Sequence, residues 1–159
     1  MVETTLSGAS HHILTNDYAS EWMGIEVLKL DDGHATIRMH LRQEMLNGFG
    51  MAHGGMIFAF GDTAFALACN PASPTPEEAA SITVASGVDI NFIKPAFQGQ
   101  VITAVANRRA STGRSGLYDI QIFAATPDSA TPDADGGPDA QPGELIAEFR
   151  GRSRTISKK

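Results

Sequence analysis

Apolar and polar positions alternate along this chain with two different periods, and the change of period divides it into elements. Between His34 and Arg42 the period is two. Ala35, Ile37, Met39 and Leu41 fall on one face, and His34, Thr36, Arg38, His40 and Arg42 on the other. That is a strand buried on one side and wetted on the other. GIEVLKL precedes it, and Asp31-Asp32-Gly33 between them predicts the turn of a hairpin. Upstream, ILTNDYASEWMG (13–24) reads as a short helix ending near Gly24.

The period-two pattern stops at a glycine-rich loop. The run from Gly54 to Cys69 follows, long enough for about four helical turns. It is apolar all round: Met56, Ile57, Phe58, Ala59 and Phe60 cannot share one face. Such a helix is expected to be enclosed by other structure. Asn70 and Pro71 stop it, and PASPTPEE is a polar loop. Three or four long strands come next: SITVASGVDINFIKP, interrupted at Gly87, then QGQVITAVANRRAS, GRSGLYDIQIFAAT and ELIAEFRGRSRTI. Residues 127–143 hold four prolines and three glycines and have no pattern that could bury a core, so they are expected to form a flexible hairpin insert.

One helix cannot cover both faces of a parallel sheet. The expected fold is therefore α+β: a single domain over 1–159, with a curved antiparallel sheet wrapped around one long central helix. The edge strands of that sheet would be free to pair with a second copy.

Composition narrows the function classes. The chain has 159 residues, 42% of them hydrophobic, and a formal net charge of −6, which disfavours nucleic acid as a partner. The charge is uneven. Residues 1–93 carry three Lys or Arg against eleven acids, while 94–159 carry nine against seven. Positive charge thus gathers in the C-terminal segments, as an anionic ligand would require. A single cysteine, Cys69, excludes an internal disulfide and suggests a reducing, cytoplasmic setting. The stretch MVETTLSGASHH has neither a basic nor an apolar region, so a signal peptide is not expected, and no apolar run reaches the roughly 20 residues that cross a bilayer.

Several familiar motifs fail on inspection. Gly50 to Gly55 has phosphate-loop spacing, but Met56-Ile57 stands where lysine and a hydroxyl residue are needed. The five histidines show no ligand spacing, so no metal is expected. Gly113-Arg114-Ser115-Gly116 is not a nucleophile elbow.

What remains is Asp62. Its neighbours along the helix face are Phe58, Ala59, Phe65 and Ala66, none of which can satisfy a carboxylate. Either the register turns Asp62 to solvent or to a base on a strand, or the carboxylate is held for chemistry. Gly54-Gly55 admits two readings as well: a permissive helix start, or a bare helix N-terminus whose N–H groups stabilise a developing oxyanion. Eight residues separate Gly54 from Asp62, about 12 Å along a helix axis. A reacting carbonyl needs both groups within about 3–3.5 Å. If they act together, the aspartate comes from a second, antiparallel copy, and two-fold symmetry makes two equal sites.

Asn47-Gly48, His53-Gly54-Gly55 and Asp62-Thr63-Ala64 together resemble the signature of hotdog-fold acyl-CoA thioesterases, in particular the phenylacetic acid degradation (PaaI-type) group. The resemblance extends from about residue 15 to 157 and includes INFIKPAFQGQ, GRSGLYDIQI and EFRGRSRTI. It implies a hotdog subunit, dimers with active sites at the interface, and pairing of dimers into a homotetramer. It implies hydrolysis of an acyl-CoA, phenylacetyl-CoA or a ring-hydroxylated relative, with no cofactor beyond the coenzyme A of the substrate. By the same resemblance Asp62 is the catalytic carboxylate, as nucleophile or as general base. Gly54 N–H polarises the thioester carbonyl, and Asn47 and His53 line the site, Asn47 orienting water or carbonyl. Gly61 stands where relatives commonly have alanine.

Gly55 and Thr63 join the candidate substrate contacts. Lys94, Arg114 and Ser115 are candidates for the coenzyme A end, as are Arg150, Arg152 and Arg154, which share one face of the last strand. Two other functions fit the same residues: a hotdog dehydratase or hydratase with His53 as base and Asp62 as acid, and an acyl-CoA-binding module without turnover. Phe58, Phe60, Phe65, Phe92 and Tyr118 could line an aromatic pocket, though such spacings also serve a core.

Overall fold

The computed structural model describes residues 10–127 and 142–159. Helix α1 (Tyr18–Met23) opens the fold, capped at its start by the Asp17 side chain. A hairpin of β1 (Glu26–Asp31) and β2 (His34–His40) follows, and Ala35, Ile37 and Met39 are fully buried, as their alternation predicts. Helix α2 (Gly54–Cys69) then leads to β3 (Ser81–Phe92), β4 (Val101–Thr112), β5 (Ser115–Ala125) and β6 (Glu144–Ser157). All six strands form one antiparallel sheet in the order β1-β2-β4-β5-β6-β3, leaving β1 and β3 as edges. The interruption expected at Gly87 is a register shift between Ala85 and Gly87 against β6. The sequence-predicted insert falls almost entirely on 128–141, outside the described residues.

The core lies between α2 and the inner face of the sheet. Phe60, Phe65, Leu67, Ile102, Ile120, Ile122 and Phe149 are among its largest buried side chains. Two glycines let helix and sheet close together. A Cβ on Gly151 of β6 would stand 2.3 Å from Phe65 Cε2, and one on Gly61 of α2 would stand 2.9 Å from Phe149 Cδ2. Gly61 is thus a packing residue: it forgoes helix propensity of up to about 1 kcal/mol and gains contact with β5 and β6.

The expectation that α2 is enclosed holds on one side only. Phe60, Gly61, Ala64, Phe65, Leu67 and Ala68 are buried, while Gly55, Phe58 and Asp62 form an exposed stripe at helical spacing. No helix among the described residues is long and apolar enough to cross a membrane.

Candidate active site

The N-terminal end of α2 is built by the loop before it. The Asn47 side-chain oxygen accepts from Phe49 N–H (2.9 Å) and Met51 N–H (3.2 Å), and Asn47 N–H donates to the Met51 carbonyl (2.7 Å). Ala52 N–H donates to the Ala96 carbonyl (2.8 Å) and His53 N–H to that of Met45 (2.8 Å). The loop is thereby anchored at both ends, which aims the first turn of α2. Asn47 shapes this loop with its oxygen, so its NH2 group is the part left for a substrate or water.

His53 is the N-cap. Its Nδ1 accepts from Gly55 N–H at 2.9 Å. That bond has two consequences. It occupies the Gly55 N–H, and it puts the ring proton of neutral His53 on Nε2, because an accepting Nδ1 must keep its lone pair free. Gly54 N–H meets no acceptor among the described residues. Of the two glycines, Gly54 alone offers a free donor at the positive end of the helix. The ring of Phe92 lies beside it, 3.3 Å from where a Cβ would be. A cleft of about 310 Å3 opens here, lined by Met51, Gly54, Ile57, Phe92, Lys94 and Pro95 among others. Lys94 pairs with Glu144 at 3.4 Å, both largely exposed.

Asp62 stands two turns further along, on the exposed stripe, with no hydrogen-bond donor to its carboxylate among the described residues. More than a third of its surface is open to solvent, yet its carboxyl lies above the usual carboxylate range. Desolvation is the main cause and the Asp17 carboxylate adds to it. No base on a described strand pairs with it, so the salt-bridge alternative does not apply.

Thr63 turns the other way. Its hydroxyl lies 3.0 Å from Ser20 Oγ, and Ser20 is bonded through Oγ (2.7 Å) and N–H (3.0 Å) to Asp17. Asp17 and Ser20 were not among the sequence candidates. The spacing Asp17-x-x-Ser20 marks a helix cap, but nothing local announces that the cap meets Thr63, 43 residues away.

The remaining candidates lie apart. Arg114 and Ser115 sit where β4 turns into β5, and Ser115 pairs with Arg154, whereas Phe92 pairs with Ala147. Seven residues of β6 separate those rungs, about 23 Å at 3.3 Å per residue. Arg114 and Ser115 are thus at the far end of the sheet from Lys94 within one chain. Arg150, Arg152 and Arg154 stand on the outer face of β6, with Arg150 bonded to Asp119 at 2.7 Å. Of the five candidate aromatic residues, Phe60, Phe65 and Tyr118 are core, while Phe58 and Phe92 are exposed.

A larger cavity, about 550 Å3, lies at the opposite end of α2 beside His11, Cys69, Asn70, Arg108 and Tyr118. Its principal polar groups are already engaged. Asn70 closes the helix by bonding the Ala66 and Thr83 backbones, and Arg108 holds Asp32 with two bonds. Burial pushes the Cys69 thiol up to about 12, which removes it as a nucleophile. Size alone would select this cavity; the free N–H and the unpartnered carboxylate select the other end. Among the described residues no cluster of His, Cys, Asp and Glu could hold a metal ion.

The chain is similar in sequence and in fold to known proteins. The sequence model of the Thioesterase superfamily matches residues 49–131. Acyl-coenzyme A thioesterase PaaI of Escherichia coli K12 is 33% identical over 147 residues, covering 92% of this chain and 89% of that one. The structure of the E. coli PaaI protein from the phenylacetic acid degradation operon superposes with a TM-score of 0.74 at 32% identity, over 93% of this chain and 91% of that one. A mutant of phenylacetic acid degradation protein PaaI from Thermus thermophilus gives 0.68 at 27% identity, over 87% and 98%.

Proposed function

The chain belongs to the thioesterase superfamily and is an acyl-CoA thioesterase of the PaaI type; from that premise we propose that it hydrolyses an aryl-acyl-CoA at a site shared between two copies. The observation that carries this reading is the separation of the two reactive groups. Gly54 N–H and the Asp62 carboxylate are eight residues apart on one helix, about 12 Å. Neither has a hydrogen-bond partner among the described residues. Asp62 lies on the exposed stripe and Gly54 beside it, with Phe92 of the edge strand β3 against Gly54, and Phe58 of α2 with Val84 and Phe92 of β3 are exposed apolar surface. A second copy pairing along β3 covers that surface, sets the two α2 helices antiparallel, and brings Asp62 of one to Gly54 of the other.

In this site the thioester carbonyl oxygen accepts from Gly54 N–H, at the positive end of α2. One such donor is worth about 2.7–4 kcal/mol to an oxyanion transition state. The Asp62 carboxylate, kept reactive by its surroundings, attacks the carbonyl carbon or takes a proton from the water that does. The C–S bond breaks, coenzyme A leaves as the thiol, and with water consumed the acyl group leaves as the free acid. Lys94 meets a phosphate of coenzyme A from the copy that supplies Gly54, and Arg114 and Ser115 approach from the other. Phe58 and Phe92 offer aromatic faces to a phenylacetyl or hydroxyphenylacetyl group. Pairing of such dimers into a tetramer, and a reducing cytoplasmic setting in which Cys69 stays a thiol, complete the proposal.

The hydratase alternative needs His53 as a base. In its neutral form His53 carries its proton on Nε2 while Nδ1 is engaged by Gly55, so it is set to donate rather than accept. Thiol release from a panel of acyl-CoAs, comparing wild type with Asp62→Asn, decides the matter. Release by wild type and its loss in the variant is the expected result. Near-normal turnover by the variant would end Asp62's role, and hydration of an enoyl-CoA without thiol release would replace hydrolysis.

A further inference from the structure

The contact between α1 and α2 is a chain of three polar side chains, and chemistry fixes its direction. A carboxylate only accepts hydrogen bonds, so Ser20 O–H donates to Asp17 Oδ2 at 2.7 Å. Ser20 Oγ, 3.0 Å from Thr63 Oγ1, is then left to accept, and Thr63 O–H donates toward α1. The proton of Thr63 is therefore turned away from the exposed stripe on which its neighbour Asp62 stands. Ser20 is almost wholly buried, which holds the relay in place.

We propose that Asp17 is a positioning residue for Asp62: through Ser20 and Thr63 it docks α1 on the catalytic helix, withholds the Thr63 proton from the site, and sets a second negative charge near a carboxylate with no donor of its own. This deepens the reading of Asp62 as the catalytic carboxylate and rests on it. The upward displacement of the Asp62 carboxyl, to which Asp17 contributes after desolvation, agrees in direction.

Glu21 is the acid within α1, Tyr118 of β5 faces α2 at Phe65 with its phenol pushed up chiefly by burial, and the strand charges point elsewhere. Glu26, Lys29, Arg38, Asp89, Asp119, Arg150, Arg152 and Arg154 occupy strand positions on the outer face of the sheet, alternating with the residues that face the helix. On α2 itself the Cys69 thiol is the other ionisable group, and it remains neutral over the working range because burial holds it at about 12.

Asp17→Asn removes the charge while keeping an oxygen for the α1 cap, and its NH2 group reverses the relay. Asp17→Ser removes the charge with a different cap, should the first variant fold poorly. Carbon-13 carboxyl titration of aspartate-labelled full-length protein, with the Asp62 signal identified by its absence in Asp62→Asn, reads the effect without turnover. The expected result is a lower Asp62 midpoint in both variants, with the acidic limb of kcat/KM for an aryl-acyl-CoA moving to lower pH in parallel. Thr63→Val should lower kcat several-fold with KM little changed, and Thr63→Ser should restore it. An Asp62 midpoint unmoved by either Asp17 variant overturns the proposal. A moved midpoint in an enzyme that survives Asp62→Asn would instead leave the coupling and remove the catalytic reading.

Discussion

The two sides of α2 are both largely apolar and have opposite fates. One side packs Phe60, Gly61, Ala64, Phe65, Leu67 and Ala68 against the sheet so closely that neither Gly61, against Phe149, nor Gly151 of β6, against Phe65, has room for a methyl group. The other carries Gly55, Phe58 and Asp62 and is left open to solvent in the single chain. Close packing on the first side gives the helix a fixed position to within the size of a methyl group. In the proposed site, that fixed position lets the second side present a backbone N–H at one end and a carboxylate two turns away as reactive groups rather than as flexible surface. In the proposed dimer the apolar residues on the open side are contact surface for a second copy, and the carboxylate among them is what that contact encloses.

The largest expected effect comes from the open side. Asp62→Asn should lower turnover by about 10²–10⁴-fold, the usual worth of a positioned acid–base group. The same variant should unfold at a higher temperature near neutral pH. The folded state raises the Asp62 carboxyl above its ordinary value, so it favours the protonated form. Its contribution to stability is then present below the unfolded value and lost as pH rises through the folded one. The melting temperatures of variant and wild type should accordingly converge as pH falls toward the ordinary aspartate range. A variant that lost both activity and stability at neutral pH would mean that Asp62 is structural.

Phe65→Ala tests the packed side, with an expected loss of about 3–5 kcal/mol in denaturant unfolding. Its ring touches Gly151 and lies within 5.4 Å of the Tyr118 ring and 6.2 Å of the Phe149 ring, centre to centre, so no small rearrangement fills the space. Phe58→Arg applies a charge to the open side instead. The protomer should keep its fold while sedimentation shows the assembly dissociating and thioesterase activity disappearing with it; an unchanged, active assembly would place the interface elsewhere. Gly61→Ala is smaller: about 1 kcal/mol of helix propensity gained against overpacking of about 1–3 kcal/mol against Phe149, for a modest net destabilisation. Least of all, Lys94→Ala should leave the melting temperature within error, since its pair with Glu144 is exposed. It should raise KM for the coenzyme A ester with kcat little altered.

Much of the candidate site was legible because it is local. Asn70-Pro71 and Gly54-Gly55 delimit α2 within the sequence itself, and the alternation of Ala35, Ile37, Met39 and Leu41 assigns the inner face of β2. The isolation of Asp62 among apolar neighbours follows from helical spacing alone. Where the structure differs, a long-range contact decided. Gly61 looks like a weak point in the helix until Phe149 is seen against it. The Thr63 hydroxyl meets Ser20, 43 residues away, and the strand register puts Arg114 far from Lys94 within one chain.

The sequence by itself determined the elements, their order, the antiparallel sheet around one helix, and which residue types could do chemistry, because these depend on periodicity and on the cost of isolating a charge. Only the tertiary structure decided which side of a largely apolar helix is left open, which His53 nitrogen carries the proton, and that the Asp17–Ser20 cap meets Thr63. Those are set by how the chain folds back on itself, largely through contacts between residues far apart in it, and neighbours in sequence carry no record of them.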